Sequence, residues 1–127
     1  MEKKGKILIA DDNGPIREIL IKIIEKSFPE YGLGIFEEGE SLKNKLEELV
    51  RKETDVKLVL TDNQMPKYEG SELIREYSRK INSPMILIYA GAPEIGEQAI
   101  EDGAFGYLTK PFEFKEFKEL VEKALER

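Results

Sequence analysis

The sequence predicts an α/β domain: a doubly wound parallel sheet with helices on both faces. Three observations carry that reading. Short, continuous apolar runs recur along the chain. Each is followed by a longer segment whose apolar residues fall at helical spacing. The segments are punctuated by Gly, Pro, Asp and Asn rather than by long linkers. Continuous β-branched runs suit strands buried on both faces, and regular strand–helix alternation implies parallel pairing through crossovers.

The first run is Ile7-Leu8-Ile9-Ala10, stopped by Asp11-Asp12-Asn13-Gly14-Pro15. Pro15 suits the first turn of a helix, with Asn13 or Gly14 near its cap. Ile16, Ile19, Leu20, Ile23 and Ile24 give that helix one apolar face. Residues 33–36 form a weaker strand, loosened by Gly32 and Gly34. Leu42, Leu46, Leu49 and Val50 mark the second helix. Residues 57–61 form a buried strand that ends at Asp62. Leu73, Ile74, Tyr77 and Ile81 mark a third helix after Gly70. Residues 85–89 are the fourth strand, and Ile95, Ala99 and Ile100 a short fourth helix. Residues 105–108 are the fifth strand. Phe114, Phe117, Leu120, Val121, Ala124 and Leu125 give the closing helix. With no Gly/Ser linker, low-complexity tract or repeat, the expectation is one domain over 1–127, without an appended DNA-binding or enzyme unit.

Composition narrows the chemistry. The 127 residues can bury a core without staples. Hydrophobic residues make up 40% and charged residues 36%, a globular rather than a disordered balance. The absence of Cys excludes disulfides, thiolate zinc sites and cysteine nucleophiles, and the absence of His excludes His triads and His metal sites. Any metal is therefore hard and oxygen-ligated. A net charge of −6 argues against unaided binding to nucleic acid or anionic lipid. Only four apolar residues separate the N-terminal lysines from Asp11, too few for a signal peptide or a spanning helix, so a cytoplasmic location is expected.

Three aspartates stand where strands end: Asp11 and Asp12 after the first, Asp62 after the third. Open α/β sheets bind ligands beyond the carboxyl ends of their strands, where the winding direction reverses. If the first and third strands are neighbours, the carboxylates converge and need a cation, for which Mg²⁺ is suited. The Asp62 carboxylate then becomes a nucleophile toward phosphorus. Lys110, after the fifth strand, supplies an ammonium for a phosphoryl oxygen, and Lys110-Pro111 is the best candidate for a cis peptide. Taken singly, each has a plain reading: Asp11 and Asp12 as capping and turn residues, Asp62 as a turn residue, Lys110 as a solvated charge. Their joint placement at three strand ends favours the site.

The chain resembles the receiver domain of two-component response regulators over essentially its whole length. Residues 7–13, Ile-Leu-Ile-Ala-Asp-Asp-Asn, match that family's opening strand and acidic pair. Residues 58–70 match its phosphoacceptor strand and loop, Asp-x-x-Met-Pro-x-x-Asp/Glu-Gly. Residues 103–112 match its last strand and Lys-Pro-Phe ending. The resemblance implies a flavodoxin-like (βα)5 fold with strand order 2-1-3-4-5. It implies Asp62 as the phosphoacceptor, with Mg²⁺ held by Asp12 directly, Asp11 mainly through water, Asp62 and the backbone carbonyl of Gln64. It implies Lys110 on the phosphoryl group, with the backbone N–H groups of Asn63 and Ala90 facing its oxygens. Gln64 and Gly91 occupy the positions that tend to set dephosphorylation rate. The implied donor is a sensor histidine kinase or histidine phosphotransfer protein. Output would pass to an unknown downstream protein through protein contacts, in the manner of stand-alone chemotaxis or phosphorelay receivers. Such a domain is not an enzyme beyond hydrolysing its own acyl phosphate.

One position departs from the pattern. The family places Thr or Ser before Ala90, where its short hydroxyl bonds the phosphoryl group and draws the following loop inward. This chain has Tyr89. A phenol is too long for that spot, which puts coupling to the signalling surface in question. Two readings stand: a tolerated substitution that alters switching kinetics, and a Tyr89 that points outward near Tyr107, the aromatic switch position of the fifth strand, as part of a fixed partner surface. Phe112, Phe114 and Phe117 read as packing residues, and Glu37-Glu38 and Glu47-Glu48 as solvated faces. Two other classes compete. Tyr89 motivates a phospho-independent binding module. A phosphatase with an aspartyl-phosphate intermediate shares Asp, Mg²⁺ and Lys, but Asp62-Asn63-Gln64 lacks the second acid–base carboxylate it usually needs, and the chain leaves little room for a cap.

Overall fold

The computed structural model describes residues 3–52 and 54–126. Five strands alternate with five helices: β1 (Lys6–Ala10), α1 (Gly14–Ser27), β2 (Gly32–Phe36), α2 (Gly39–Arg51), β3 (Val56–Thr61), α3 (Gly70–Tyr77), β4 (Met85–Tyr89), α4 (Pro93–Glu101), β5 (Gly106–Thr109) and α5 (Phe114–Glu126). The strands form one parallel sheet in the order β2-β1-β3-β4-β5, as the family resemblance implies.

The pleat explains why the strand sequences are apolar throughout. Alternate residues serve two separate cores. Leu8, Ala10, Val59, Leu87 and Tyr89 pack with Leu42, Leu46, Leu73, Ile74 and Tyr77 from α2 and α3. Ile7, Ile9, Leu58, Leu60, Ile86 and Ile88 pack with Leu20 and Ile24 of α1 and Phe117, Val121 and Ala124 of α5. Because both faces are covered, the polar residues of β1 and β3 are confined to their ends: Lys6 and Lys57 are exposed near the starts, and Thr61 closes β3.

Local chemistry sets the helix starts. The Asn13 side chain accepts a hydrogen bond from Ile16 N–H at 3.0 Å, with Pro15 in the first turn. Glu69 and Glu72 form a reciprocal capping box at the start of α3. α3 is shorter than the apolar spacing predicts: it ends at Tyr77, and Ile81 is buried from the turn beyond it, where Lys80 and Ile81 N–H groups both donate to the Tyr77 carbonyl. Ile19, Val50, Ile100 and Phe114 are exposed, at the margins of their helices' apolar stripes.

Tyr89 overturns one of the two readings of the sequence. It does not point outward. It is fully buried, because the pleat that directs Leu87 toward α3 and α4 directs Tyr89 the same way. Among the described residues no helix is long and apolar enough to cross a membrane.

Candidate functional site

The sheet reverses its winding between β1 and β3, and their last residues, Ala10 and Thr61, are register partners. The residues that follow are therefore neighbours. Asp11 N–H donates to the Phe36 carbonyl at 3.1 Å, and Asp62 N–H to the Ala10 carbonyl at 2.8 Å, so both aspartates are still held by the ends of the strand ladders. Asp11 is fully buried; its Oδ1 accepts Asn13 N–H at 2.9 Å. Arg17 steadies the same segment, donating to the Asp11 carbonyl at 2.8 Å and pairing with Glu37 at 3.2 Å.

Asp62 is held from its other side. Its Oδ1 accepts Asn63 N–H at 2.8 Å. Asn63 ties the loop to α3: its carbonyl accepts Gly70 N–H and its side chain accepts Ser71 N–H, each at 2.9 Å. Gly70 is required there, since a Cβ would overlap the Asp62 carbonyl oxygen. Lys67, at φ 70°, turns the intervening loop. The third strand end comes from β5. Lys110 N–H donates to the Tyr89 carbonyl at 2.7 Å, extending the β4–β5 ladder. Its ammonium lies 3.0 Å from Asp11 Oδ2 and 3.3 Å from Asp62 Oδ1. The Lys110–Pro111 peptide is cis, as the sequence suggested.

Carboxylate oxygens of Asp11, Asp12 and Asp62 lie within 4.8 Å of one another, with Asp12 exposed and the other two buried. Burial, followed by the nearby Asp11 charge, pushes the Asp62 carboxyl above its ordinary range; Lys110 and the Asn63 N–H oppose the shift. Three carboxylates against one ammonium leave excess negative charge at a rim open through Asp12. The donors are all oxygens, which fits a hard divalent cation such as Mg²⁺.

The structure thus brings together Asp11, Asp12, Asp62, Asn63 and Lys110. Gln64 and Ala90 are exposed where the chain leaves β3 and β4, on the same rim. Tyr107 is half-buried on β5, its ring centroid 6.2 Å from that of Tyr89 and tilted by 45°. The Tyr89 hydroxyl donates to the Ala92 carbonyl at 2.6 Å and accepts Gly96 N–H at 2.9 Å. Sequence reasoning missed Arg17, Gly70 as a close-approach residue, and Gly96. The last left a trace: glycine inside a helix costs about 1 kcal/mol against alanine and usually marks a packing demand.

A doubly wound sheet with a carboxylate cluster and a lysine at its switch point defines a phosphoryl-accepting α/β domain. The match to the response regulator receiver domain over residues 7–122 makes the chain a member of that family. It is 31% identical over 124 residues to the CpxR homolog of Haemophilus influenzae, a transcriptional regulatory protein, covering 97% of this chain and 51% of the relative. It is 34% identical over 128 residues to the response regulator PilR of Pseudomonas aeruginosa, covering 96% and 26%. The chain thus spans about half the length of the one and a quarter of the other. Among solved structures, the BeF3-activated DrrB receiver domain is 29% identical at a TM-score of 0.77, with 100% of each chain covered. FixJ-N is 26% identical at a TM-score of 0.81, covering 98% of this chain and 96% of that one. A Clostridium thermocellum receiver domain, 23% identical at a TM-score of 0.80 with 97% and 95% covered, shares the fold. Receiver domains are phosphoacceptors that bind Mg²⁺ at an acidic pocket and interact with histidine kinases and phosphotransfer proteins.

Proposed function

We propose that this domain is a response-regulator phosphoacceptor that receives a phosphoryl group on Asp62 and signals through protein contacts. The observation that carries the reading is the convergence of Asp11, Asp12, Asp62 and Lys110 from three strand ends onto one small rim. Asp11, Asp12, Asp62 and the Gln64 carbonyl would hold Mg²⁺. When bound, the ion supplies charge neutralisation at the phosphoryl oxygens.

The remaining work belongs to the chain. Asp62 Oδ1 is occupied by Asn63 N–H and faces Lys110, which leaves Oδ2 to attack. An O–P bond forms to Asp62 as the N–P bond of a phosphohistidine breaks, its electron pair returning to the imidazole nitrogen. Lys110 and the Asn63 N–H then shift their pairing from the carboxylates to phosphoryl oxygens, and the Ala90 N–H binds a further one. Hydrolysis of the acyl phosphate resets the domain, and no further enzymatic activity is assigned. The donor is a histidine kinase or a phosphotransfer protein. An apolar hollow of about 310 Å³, lined by Ile16, Ile19, Ile23, Phe112 and Phe114, reaches Lys110 and offers the donor's helices a seat beside the acceptor. The net charge of −6 favours a protein rather than a nucleic-acid target, and the cytoplasm is the compartment such a donor implies.

A second reading is a phospho-independent binding module. It is favoured by the burial of Tyr89, whose hydroxyl is committed to α4 instead of the phosphoryl site. Acetyl phosphate separates the two. With Mg²⁺ the intact mass rises by about 80 Da, one phosphoryl group, and neither the Mg²⁺-free sample nor Asp62→Asn shows the gain. No gain under conditions that label an ordinary receiver points either to strict dependence on a cognate kinase or to the binding module, and failure to accept phosphate from a phosphohistidine protein as well refutes the phosphoacceptor reading.

A further inference from the structure

Four of the five helices close their first turn with the regular i to i+4 backbone bond. The fourth helical N–H donates to the carbonyl of the residue before the helix: Arg17 to Asn13 at 2.9 Å, Leu42 to Glu38 at 3.3 Å, Leu73 to Glu69 at 3.2 Å, and Phe117 to Glu113 at 3.1 Å. α4 does otherwise. Its fourth N–H, that of Gly96, donates to the Tyr89 hydroxyl at 2.9 Å, and that hydroxyl donates to the Ala92 carbonyl at 2.6 Å. The phenol stands between the donor and the acceptor that the other helices join to each other. A side chain from β4 has become a rung in the hydrogen-bond ladder of α4.

The surroundings are fitted to this insertion. Ala92, the residue before α4, has no side chain that can cap the helix. Gly91, at φ 156°, takes a conformation that disfavours a side chain and brings the loop back across the Tyr89 ring. Gly96 lacks the Cβ that would overlap the Tyr107 ring, and so lets Tyr107 close over the first turn. The Tyr89 ring is fully buried beneath.

A phenol has one proton to donate. That of Tyr89 is given to Ala92, so the side chain has none for a phosphoryl oxygen on Asp62. To move α4, the chain must break both bonds and withdraw a buried ring. We infer that Tyr89 latches the first turn of α4 to β4, so that loading of Asp62 leaves α4 in place and its outer surface is the same in both states. The part concerning loading rests on the phosphoacceptor reading; the latch itself does not.

The test uses amide NMR on the full chain and on Tyr89→Phe, which keeps the ring and removes the hydroxyl. In the unloaded proteins, Gly96 N–H exchanges at least about tenfold faster in the variant, as loss of one protecting bond requires. Equal rates overturn the latch. Beryllofluoride with Mg²⁺ is then added as the phosphoryl mimic, with the Asn63 amide reporting occupancy. In the wild type the Asn63 amide shifts and the Ile95, Gly96 and Glu97 amides do not; in Tyr89→Phe all four shift. Wild-type α4 amides that move as far as those of the variant overturn the inference. So do α4 amides that stay fixed in both proteins, since the hydroxyl is then not what holds the helix. If the Asn63 amide moves in neither protein, the phosphoacceptor reading falls, and the Gly96 exchange rates still decide the latch.

Discussion

Lys110 Nζ lies 3.3 Å from Asp62 Oδ1, an ion pair reaching from the end of β5 to the end of β3 past the intervening β4. The same ammonium lies 3.0 Å from Asp11. One cation thus holds two buried carboxylates that otherwise face each other.

Removing that cation exposes the repulsion. Lys110→Ala is expected to lower stability by about 3 kcal/mol in metal-free buffer, since breaking a buried pair leaves its partners uncompensated. Millimolar Mg²⁺ restores part of the loss, and adding Asp62→Asn restores most of it. Urea melts with and without Mg²⁺ measure all three effects. An equal loss with and without Asp62→Asn contradicts the account.

Gly96→Ala tests the fit of Tyr107 over α4. Helix propensity alone favours alanine by about 1 kcal/mol. The overlap with the Tyr107 ring reverses the sign, for a net loss of about 2 kcal/mol. In a double-mutant cycle, Tyr107→Ala recovers the propensity gain. Additive effects would mean that the two residues do not meet.

Tyr77 joins α2 to α3 through its hydroxyl, which accepts Lys43 Nζ at 2.7 Å and donates to Glu47. The Tyr77 hydroxyl is the main cause that holds the Glu47 carboxyl below its ordinary value of 4.5. A lowered carboxyl contributes stability that is present above the unfolded value and lost as pH falls through the folded one. Tyr77→Phe is therefore expected to lower Tm by ~3 °C at pH 7. The gap to wild type narrows as the pH falls below 4.5. Thermal melts across that range check the sign; a gap constant with pH refutes the role of Glu47.

Ile19 and Phe114 expose apolar surface around the hollow that reaches Lys110. Ile19→Asp and Phe114→Asp should slow phosphoryl transfer from a phosphohistidine protein at least about tenfold, a loss of 1.4 kcal/mol or more at the transition state. Labelling by acetyl phosphate should be unchanged, because the small donor needs no seat. Equal slowing with both donors places the fault in the acceptor site instead.

Much of this protein was legible before folding. Both core faces were written in continuous strand runs, because a sheet covered on two sides keeps the middle of its strands apolar. Asp11, Asp12, Asp62 and Lys110 were legible for the complementary reason: they are the first charges after those runs, and strand ends in a parallel sheet share one rim. The Asn13 cap and the Pro15 start of α1 follow from backbone chemistry that acts within one turn.

Tertiary structure alone decided what Tyr89 does. Its position at the end of β4 was clear, yet its direction depends on the pleat, and its partners on a helix whose first turn was short of a cap. A phenol too long for the phosphoryl rim finds its donor in α4 and its acceptor in the residue before it, given room by Gly91 and Gly96. Arg17 and Gly70 were hidden in the same way, since one acts through a carbonyl on another element and the other through the absence of a side chain. Sequence periodicity reports which face of an element is apolar. Where two elements touch, and which polar atoms the contact satisfies, is fixed only when the layers close and every buried donor must find an acceptor.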